Sequence, residues 1–255
     1  MSQNPFIWYE LIAHDAAAAR AFYCHVAGWA VETTEMAGPP YTLFKTDSGP
    51  VAGMMDRVHL PPETATAPPC WTGYVGVDDL DAKATEATAL GGKIVLPPRD
   101  LPNVGRIAIV TDPQGAIIAL FQPNQGEGPQ RPHDAPGQFG WHELLATDWE
   151  AVFPFYASLF GWEKSTPVDM GPMGTYQLFS INGRDAGGMF SRPAGMPGPF
   201  WLYYINVGQI DDAVSRVQSG DGTVLNGPTE VPGGMWVAQC RDPQGAMFAT
   251  VGKRG

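Results

Sequence analysis

The chain has little cysteine, little positive charge and no long apolar run. Only three cysteines occur in 255 residues. They cannot staple a chain of this length, which disfavours a disulfide-framed secreted scaffold and points to a reducing compartment. Lys and Arg number 15 against 26 Asp and Glu, a formal net charge of −11. That charge repels phosphate backbones, so neither nucleic acid nor an anionic membrane surface is an expected partner. No apolar run approaches the roughly 18–20 residues of a membrane span. The opening Met-Ser-Gln-Asn-Pro-Phe lacks a basic region followed by an apolar stretch, so no secretory signal is expected and the expected location is cytoplasmic. What is abundant is apolar residues (44%), with 31 glycines and 25 prolines. This combination describes a folded chain of many short elements joined by tight turns.

Self-similarity organises the chain. Residues 8–29 (WYELIAHDAAAARAFYCHVAGW) and 141–162 (WHELLATDWEAVFPFYASLFGW) are identical at ten of 22 positions without a gap. Further on, Tyr41-Thr42-Leu43-Phe44 matches Tyr176-Gln177-Leu178-Phe179, and Gly53-Met54 matches Gly188-Met189. Trp71 matches Trp201, and Asp112-Pro-Gln-Gly-Ala116 matches Asp242-Pro-Gln-Gly-Ala246. The order is kept throughout, so the chain is a tandem duplication. The expected domains are 1–125 and 139–255, with a polar, Pro- and Gly-rich linker at 126–138.

Each half has a regular local pattern. Phe6–Ile12 reads as a strand with Trp8, Glu10 and Ile12 on one face. Asp15 caps a helix over Ala16–Ala27 that Gly28 stops. Strands are expected at Trp29–Thr34, Tyr41–Thr46 and Pro50–Met55. The pattern then restarts: a strand at Trp71–Val77, a helix from Asp78 or Asp79 to Leu90, and strands at Ile94–Leu96, Gly105–Thr111 and Ala116–Phe121. Each half is therefore two βαβββ units, and the chain holds four. Pro154 lies within the helix expected at 149–160 and predicts a kink or a late helix start.

Four βαβββ units carry an aspartate before the first helix, Phe-Tyr inside it, Gly-Trp after it and Asp-Pro-x-Gly before the last strand. This constellation, present twice, resembles the vicinal oxygen chelate superfamily of glyoxalases, bleomycin-resistance proteins and extradiol dioxygenases. The likeness is greatest to two-domain glyoxalase-like proteins with Trp-x-Glu-Leu in both halves. It implies an α+β fold in which tandem glyoxalase-like domains form curled mixed sheets with helices outside. The concave sheet face is a cup for the ligand. It also implies a monomer that mimics a dimer by fusion, or a homodimer.

The resemblance further assigns metal-ligand points, and this sequence departs from them. They fall on Trp8 and Trp141 on the opening strands and on Ala119 and Ala249 on the final strands. Others fall near Thr72 and Leu202, and at Gly53-Met54 and Gly188-Met189. An indole nitrogen only donates, methyl groups have no lone pairs, and a thioether is soft. No metal and no other cofactor is expected. The histidines (His14, His25, His59, His133, His142) are not spaced to share a metal on one element. Cys24, Cys70 and Cys240 read as small buried residues.

Glu10 and Glu143 are the candidate catalytic residues, because period two places each beside Trp8 or Trp141. A carboxylate on an apolar face is either a base or anchor, or a structural acceptor. Candidate ligand contacts are Trp8, Trp141, Trp71, Trp201, Tyr41, Tyr176, Met54 and Met189, with core packing as the alternative. Arg106 has Trp236 as its counterpart and is expected either to pair with Glu10, to bind an anionic ligand group, or to lie at the surface. The proline-rich loops Asp56–Cys70 and Ser191–Phe200 are lids or simple connections. The principal expectation is a module that binds a small apolar or aromatic molecule without the superfamily metal. The alternatives are a lyase, isomerase or dioxygenase-type enzyme with Glu10 or Glu143 as base or with displaced metal ligands, and a structural or interaction protein.

Overall fold

A computed structural model describes residues 3–34, 39–124, 133–196 and 198–255. Residues 126–132 of the expected linker lie outside the described residues. The first element, β1 (Phe6–Ala13), runs into Asp15, whose carboxylate accepts from the N–H groups of Ala17 and Ala18 and starts α1 (Ala16–Ala27). Gly28 ends α1 at φ +71°, a conformation a side chain resists. The chain returns through β2 (Ala30–Thr34), β3 (Tyr41–Thr46) and β4 (Gly49–Asp56), and β4 comes back parallel to β1. The second unit repeats this order with β5 (Cys70–Gly76), α2 (Leu80–Ala89), β6 (Lys93–Leu101), β7 (Gly105–Thr111) and β8 (Ile117–Pro123).

The second half follows suit. It runs β9 (Phe139–Ala146), α3 (Trp149–Phe160), β10 (Glu163–Asp169), β11 (Thr175–Ile181) and β12 (Arg184–Ser191). Then come β13 (Phe200–Gln209), α4 (Ile210–Ser219), β14 (Thr223–Val231), β15 (Met235–Arg241) and β16 (Met247–Lys253). Two eight-stranded mixed sheets result, ordered β2-β3-β4-β1-β5-β8-β7-β6 and β10-β11-β12-β9-β13-β16-β15-β14. The α+β fold of tandem glyoxalase-like domains, four βαβββ units in all, is as the sequence predicts. No helix among the described residues is long and apolar enough to cross a membrane.

The expected late start of the third helix does not occur. α3 begins at Trp149 and runs through Pro154. Its first turn is held twice over, by Asp148 accepting from Ala151 N–H and by Gln114 accepting from the N–H groups of Thr147 and Asp148. The hydrogen bond that Pro154 cannot donate would have gone to Glu150, which lies exposed to water.

Contact density divides the chain into two compact units, and neither is a contiguous half. One comprises Met1–Ile7, Thr72–Gln130 and His142–Leu202; the other comprises Trp8–Trp71, Arg131–Trp141 and Tyr203–Gly255. Each unit thus takes one βαβββ module from each half of the sequence. Its core is built on the repeated motifs. In one unit Trp71 Nε1 donates to Tyr23 Oη at 2.8 Å, and Tyr23 Oη donates to Asp242 Oδ2 at 3.0 Å. In the other, Trp201 Nε1 donates to Tyr156 Oη at 3.1 Å, and Tyr156 Oη donates to Asp112 Oδ2 at 2.9 Å. The second carboxylate oxygen of each aspartate accepts backbone N–H groups of its own Asp-Pro-Gln-Gly turn.

Trp29, Phe44, Phe139 and Phe248 close around the Tyr23 relay. Phe160, Trp162 and Phe179 close around that of Tyr156. Cys240 is buried, and burial pushes its thiol up to about 12.

Removing either phenol hydroxyl strands a buried carboxylate oxygen and an indole N–H. Tyr23→Phe and Tyr156→Phe are each expected to cost about 1–3 kcal/mol in urea denaturation. A loss within experimental error in both would remove the relay from its structural role. Burial also raises the Asp112 and Asp242 carboxyls above their ordinary range, against the opposing backbone and tyrosine hydrogen bonds. The folded chain then binds these two protons more tightly than the unfolded chain. Their contribution to stability grows as pH falls from the raised folded values toward the ordinary carboxylate range. Stability of the wild type relative to Asp112→Asn/Asp242→Asn is expected to rise on acidification through that window; a flat or falling difference contradicts the burial effect.

Candidate functional site

The opening strand sets the site. Trp8 and Glu10 lie two residues apart on β1 and so share a face. Parallel pairing sets Glu10 opposite Gly53 of β4. From β3, the phenol end of Tyr41 approaches Gly53 so closely that a Cβ there would sit 1.7 Å from Tyr41 Oη. Space, not backbone conformation, demands this glycine. Thus placed, Tyr41 Oη donates to Glu10 Oε2 at 2.8 Å and accepts from Trp8 Nε1 at 3.1 Å. The three side chains are half-buried. Enclosure of the hydroxyl, and then the neighbouring Glu10 charge, hold the Tyr41 phenol well above its ordinary value. It is therefore a fixed donor to the carboxylate.

The second half repeats the backbone arrangement. Trp141 and Glu143 lie two apart on β9, and Glu143 stands opposite Gly188 of β12. The Tyr176 ring covers Gly188, where a Cβ would meet a ring carbon at 2.1 Å. Glu143 is 8% exposed.

Other residues with expected ligand roles are placed elsewhere. Trp71 and Trp201 are buried on the helix side of their sheets, donating to Tyr23 and Tyr156. Met54 and Met189 are fully buried and point opposite to the covered glycines beside them. Arg106 does not pair with Glu10. Its Nε bonds Asp100 at 2.9 Å and its Nη1 bonds Asp81 on α2 at 2.5 Å. The loss of this arginine in the second half is compensated locally. Arg254 pairs with Asp211, the counterpart of Asp81, at 2.9 Å and stacks 4.4 Å over Trp236. His142 is buried, stacks on Phe6 with centroids 4.0 Å apart, and has Nδ1 2.6 Å from the Ala186 carbonyl.

The link between Tyr41 and Glu10 is the feature that reading along the sequence misses. The signal for it was present: Tyr41, Glu10 and Gly53 recur together as Tyr176, Glu143 and Gly188. The donor set does not fit the divalent metal that the fold implies. Glu10 already accepts from Tyr41, and the residues at the neighbouring expected ligand points are the Trp8 indole and Gly53. Among the described residues no three His, Cys, Asp or Glu side chains come together to hold an ion. Gly53→Ala is expected to expel Tyr41 and destabilise the chain by about 1–3 kcal/mol. Loss of the Trp8 indole N–H shift typical of a bonded proton in NMR would accompany it; an unchanged indole signal would contradict the geometry.

A family model described as Glyoxalase/Bleomycin resistance protein/Dioxygenase superfamily matches residues 6–120 and 138–250. The anthracycline biosynthesis protein DauV of Streptomyces sp. (strain C5) is 30% identical over 258 residues, 96% of this chain and 91% of that protein. A protein named as a candidate glyoxylase, CFP32 of Mycobacterium tuberculosis, is 28% identical over 248 residues, 96% of this chain and 93% of that protein. Among solved structures, the Mn(II)-bound glyoxalase from Novosphingobium aromaticivorans aligns with a TM-score of 0.65 at 16% identity, covering 100% of this chain and 84% of that one. That likeness is one of fold. Both halves of the sequence, and the two sheets they build, make this chain a member of the Glyoxalase/Bleomycin resistance protein/Dioxygenase superfamily.

Proposed function

We propose that the chain binds a small, planar, apolar or aromatic organic molecule on the sheet face carrying Trp8, Tyr41 and Glu10, without a divalent metal. The observation that carries this reading is the bonded series Trp8 Nε1–Tyr41 Oη–Glu10 Oε2. It fixes an indole and a phenol as flat apolar surface beside one oriented carboxylate, which suits an aromatic body with a polar substituent. The repeat of Glu143 over Gly188 beneath Tyr176 gives the second half a comparable face. Two relatives named for anthracycline biosynthesis, DauV and DnrV of Streptomyces peucetius, agree with a fused aromatic ligand. On this reading the chain acts in the cytoplasm, and a content of only three cysteines fits that setting.

A lyase or isomerase using Glu10 as base is the second reading, and the oriented carboxylate is what favours it. One oxygen of Glu10 is already committed to the Tyr41 hydroxyl, which suits an anchor better than a proton acceptor. Tryptophan fluorescence titration with 1,4-dihydroxyanthraquinone separates these roles from a purely structural one. Trp8→Ala and Glu10→Gln are each expected to weaken binding about tenfold, the size of one lost stacking or polar anchor. Trp236→Ala is expected to leave it unchanged. Equal affinity in all four proteins contradicts the assignment.

A further inference from the structure

The Trp8 face is not the only place where polar side chains converge. Parallel pairing ends with Ala13 opposite Asp56, so the next residues, His14 and Arg57, emerge side by side at the carboxyl ends of β1 and β4. Arg57 Nη1 lies 3.3 Å from both ring nitrogens of His14. Arg57 Nε donates to the Ala65 carbonyl at 3.2 Å, which ties the guanidinium to the loop that follows β4. Together with Val58, Leu60 and Ala65 these residues line an open cavity of about 430 Å³. Val58 stands 78% exposed at its rim.

The charge balance of this cavity is unusual for so acidic a chain. Arg57 takes part in no ion pair among the described residues. Both adjacent carboxylates are directed to backbone: Asp15 caps Ala17 and Ala18, and Asp56 accepts from Val58 N–H at 3.1 Å. The N–H groups of Ala17 and Ala18 at the start of α1 are thus already satisfied, and the cation is supplied by a side chain. The loop is shaped by successive turns in which Thr64, Ala65 and Ala67 donate to Pro61, Pro62 and Thr64. The second half does not reproduce the arrangement. There Ala146 pairs with Ser191, so Arg192 emerges beside Thr147, and its Nη1 folds back onto the Met196 carbonyl.

We propose that His14, Arg57 and the loop over residues 58–65 form a second site, which takes the anionic head of a small amphipathic acid. The head is a carboxylate or a phosphate monoester. Arg57 presents a planar, forked donor to it, His14 adds a ring N–H, and Val58 and Leu60 cover a short apolar tail. A cavity of this size holds a molecule of the probes' dimensions. The site is independent of the Trp8 face.

Benzoate and phenyl phosphate, titrated against the full chain while the His14 imidazole is followed by NMR, test it. A saturable shift with either is expected, and the stronger of the two identifies the head group. Neutral benzamide is expected to give none. Arg57→Gln should weaken binding about tenfold or more, the size of a lost charge-assisted hydrogen bond, and Arg57→Lys should weaken it less. Trp8→Ala and Glu10→Gln should leave it unchanged, which separates this site from the one proposed above. Benzamide binding as tightly as benzoate, no saturable shift with either anion, or wild-type affinity in Arg57→Gln with an unchanged thermal midpoint would each overturn the proposal. Should Arg57→Gln fail to fold, His14→Gln supplies the comparison with the resonances of the benzoate or phenyl phosphate followed in place of the imidazole, and wild-type affinity is again the contrary result.

Discussion

A phenol oxygen between an indole and a buried carboxylate is the contact on which the architecture rests. Tyr23 and Tyr156 sit at the centres of the two cores, each accepting from a strand-opening tryptophan and donating to an Asp-Pro-Gln-Gly aspartate. In both cases the tyrosine and the aspartate belong to opposite halves of the sequence. The glutamine of the same turn, Gln114 or Gln244, accepts from the backbone that opens the partner half's helix. One four-residue turn therefore places an aspartate in one core and fixes a helix start of the other half. Buried polar groups of this kind are costly unless fully bonded, and here they are, which makes the pairing of modules specific.

That constraint decides which of the aromatic and methionine residues are left outside the cores. Trp71, Trp201, Met54 and Met189 are committed to the helix side of the sheets. Trp8, Glu10 and Tyr41 stand on a common face, organised by a glycine that lets the tyrosine ring lie against the strand. The superfamily scaffold is kept, while its expected ligand points hold indole, glycine, methyl and thioether groups.

Local order was legible in the sequence because it is written in local signals. Asp15 and Gly28 bound α1, Gly105–Thr111 is β7 to the residue, and the ten identities of the repeat announce the duplication. The late helix start that Pro154 suggested does not occur, because propensity describes a lone helix, while Gln114, distant in sequence, holds the start of α3. Of the alternatives open for Arg106, the surface one holds: its partners, Asp81 and Asp100, are chosen by the packing of α2 and β6 on β7. The exchange of modules between halves was not legible either. The repeat makes Asp112 and Asp242 equivalent, and only three-dimensional packing selects which tyrosine each one meets. The site was visible as residue types, Trp8, Glu10 and Tyr41, but their linkage needed the register that puts Glu10 opposite Gly53.

The function proposed for this member of the superfamily is to hold an organic molecule by aromatic surface and one anchored carboxylate, without a metal. The direct measurement is elemental analysis of protein purified without chelator, made on the same sample that is titrated with the anthraquinone probe. Saturable probe binding is expected with Mn, Fe, Ni and Zn all far below one per chain. One tightly held ion per chain, whose removal by chelator abolishes probe binding, would contradict it.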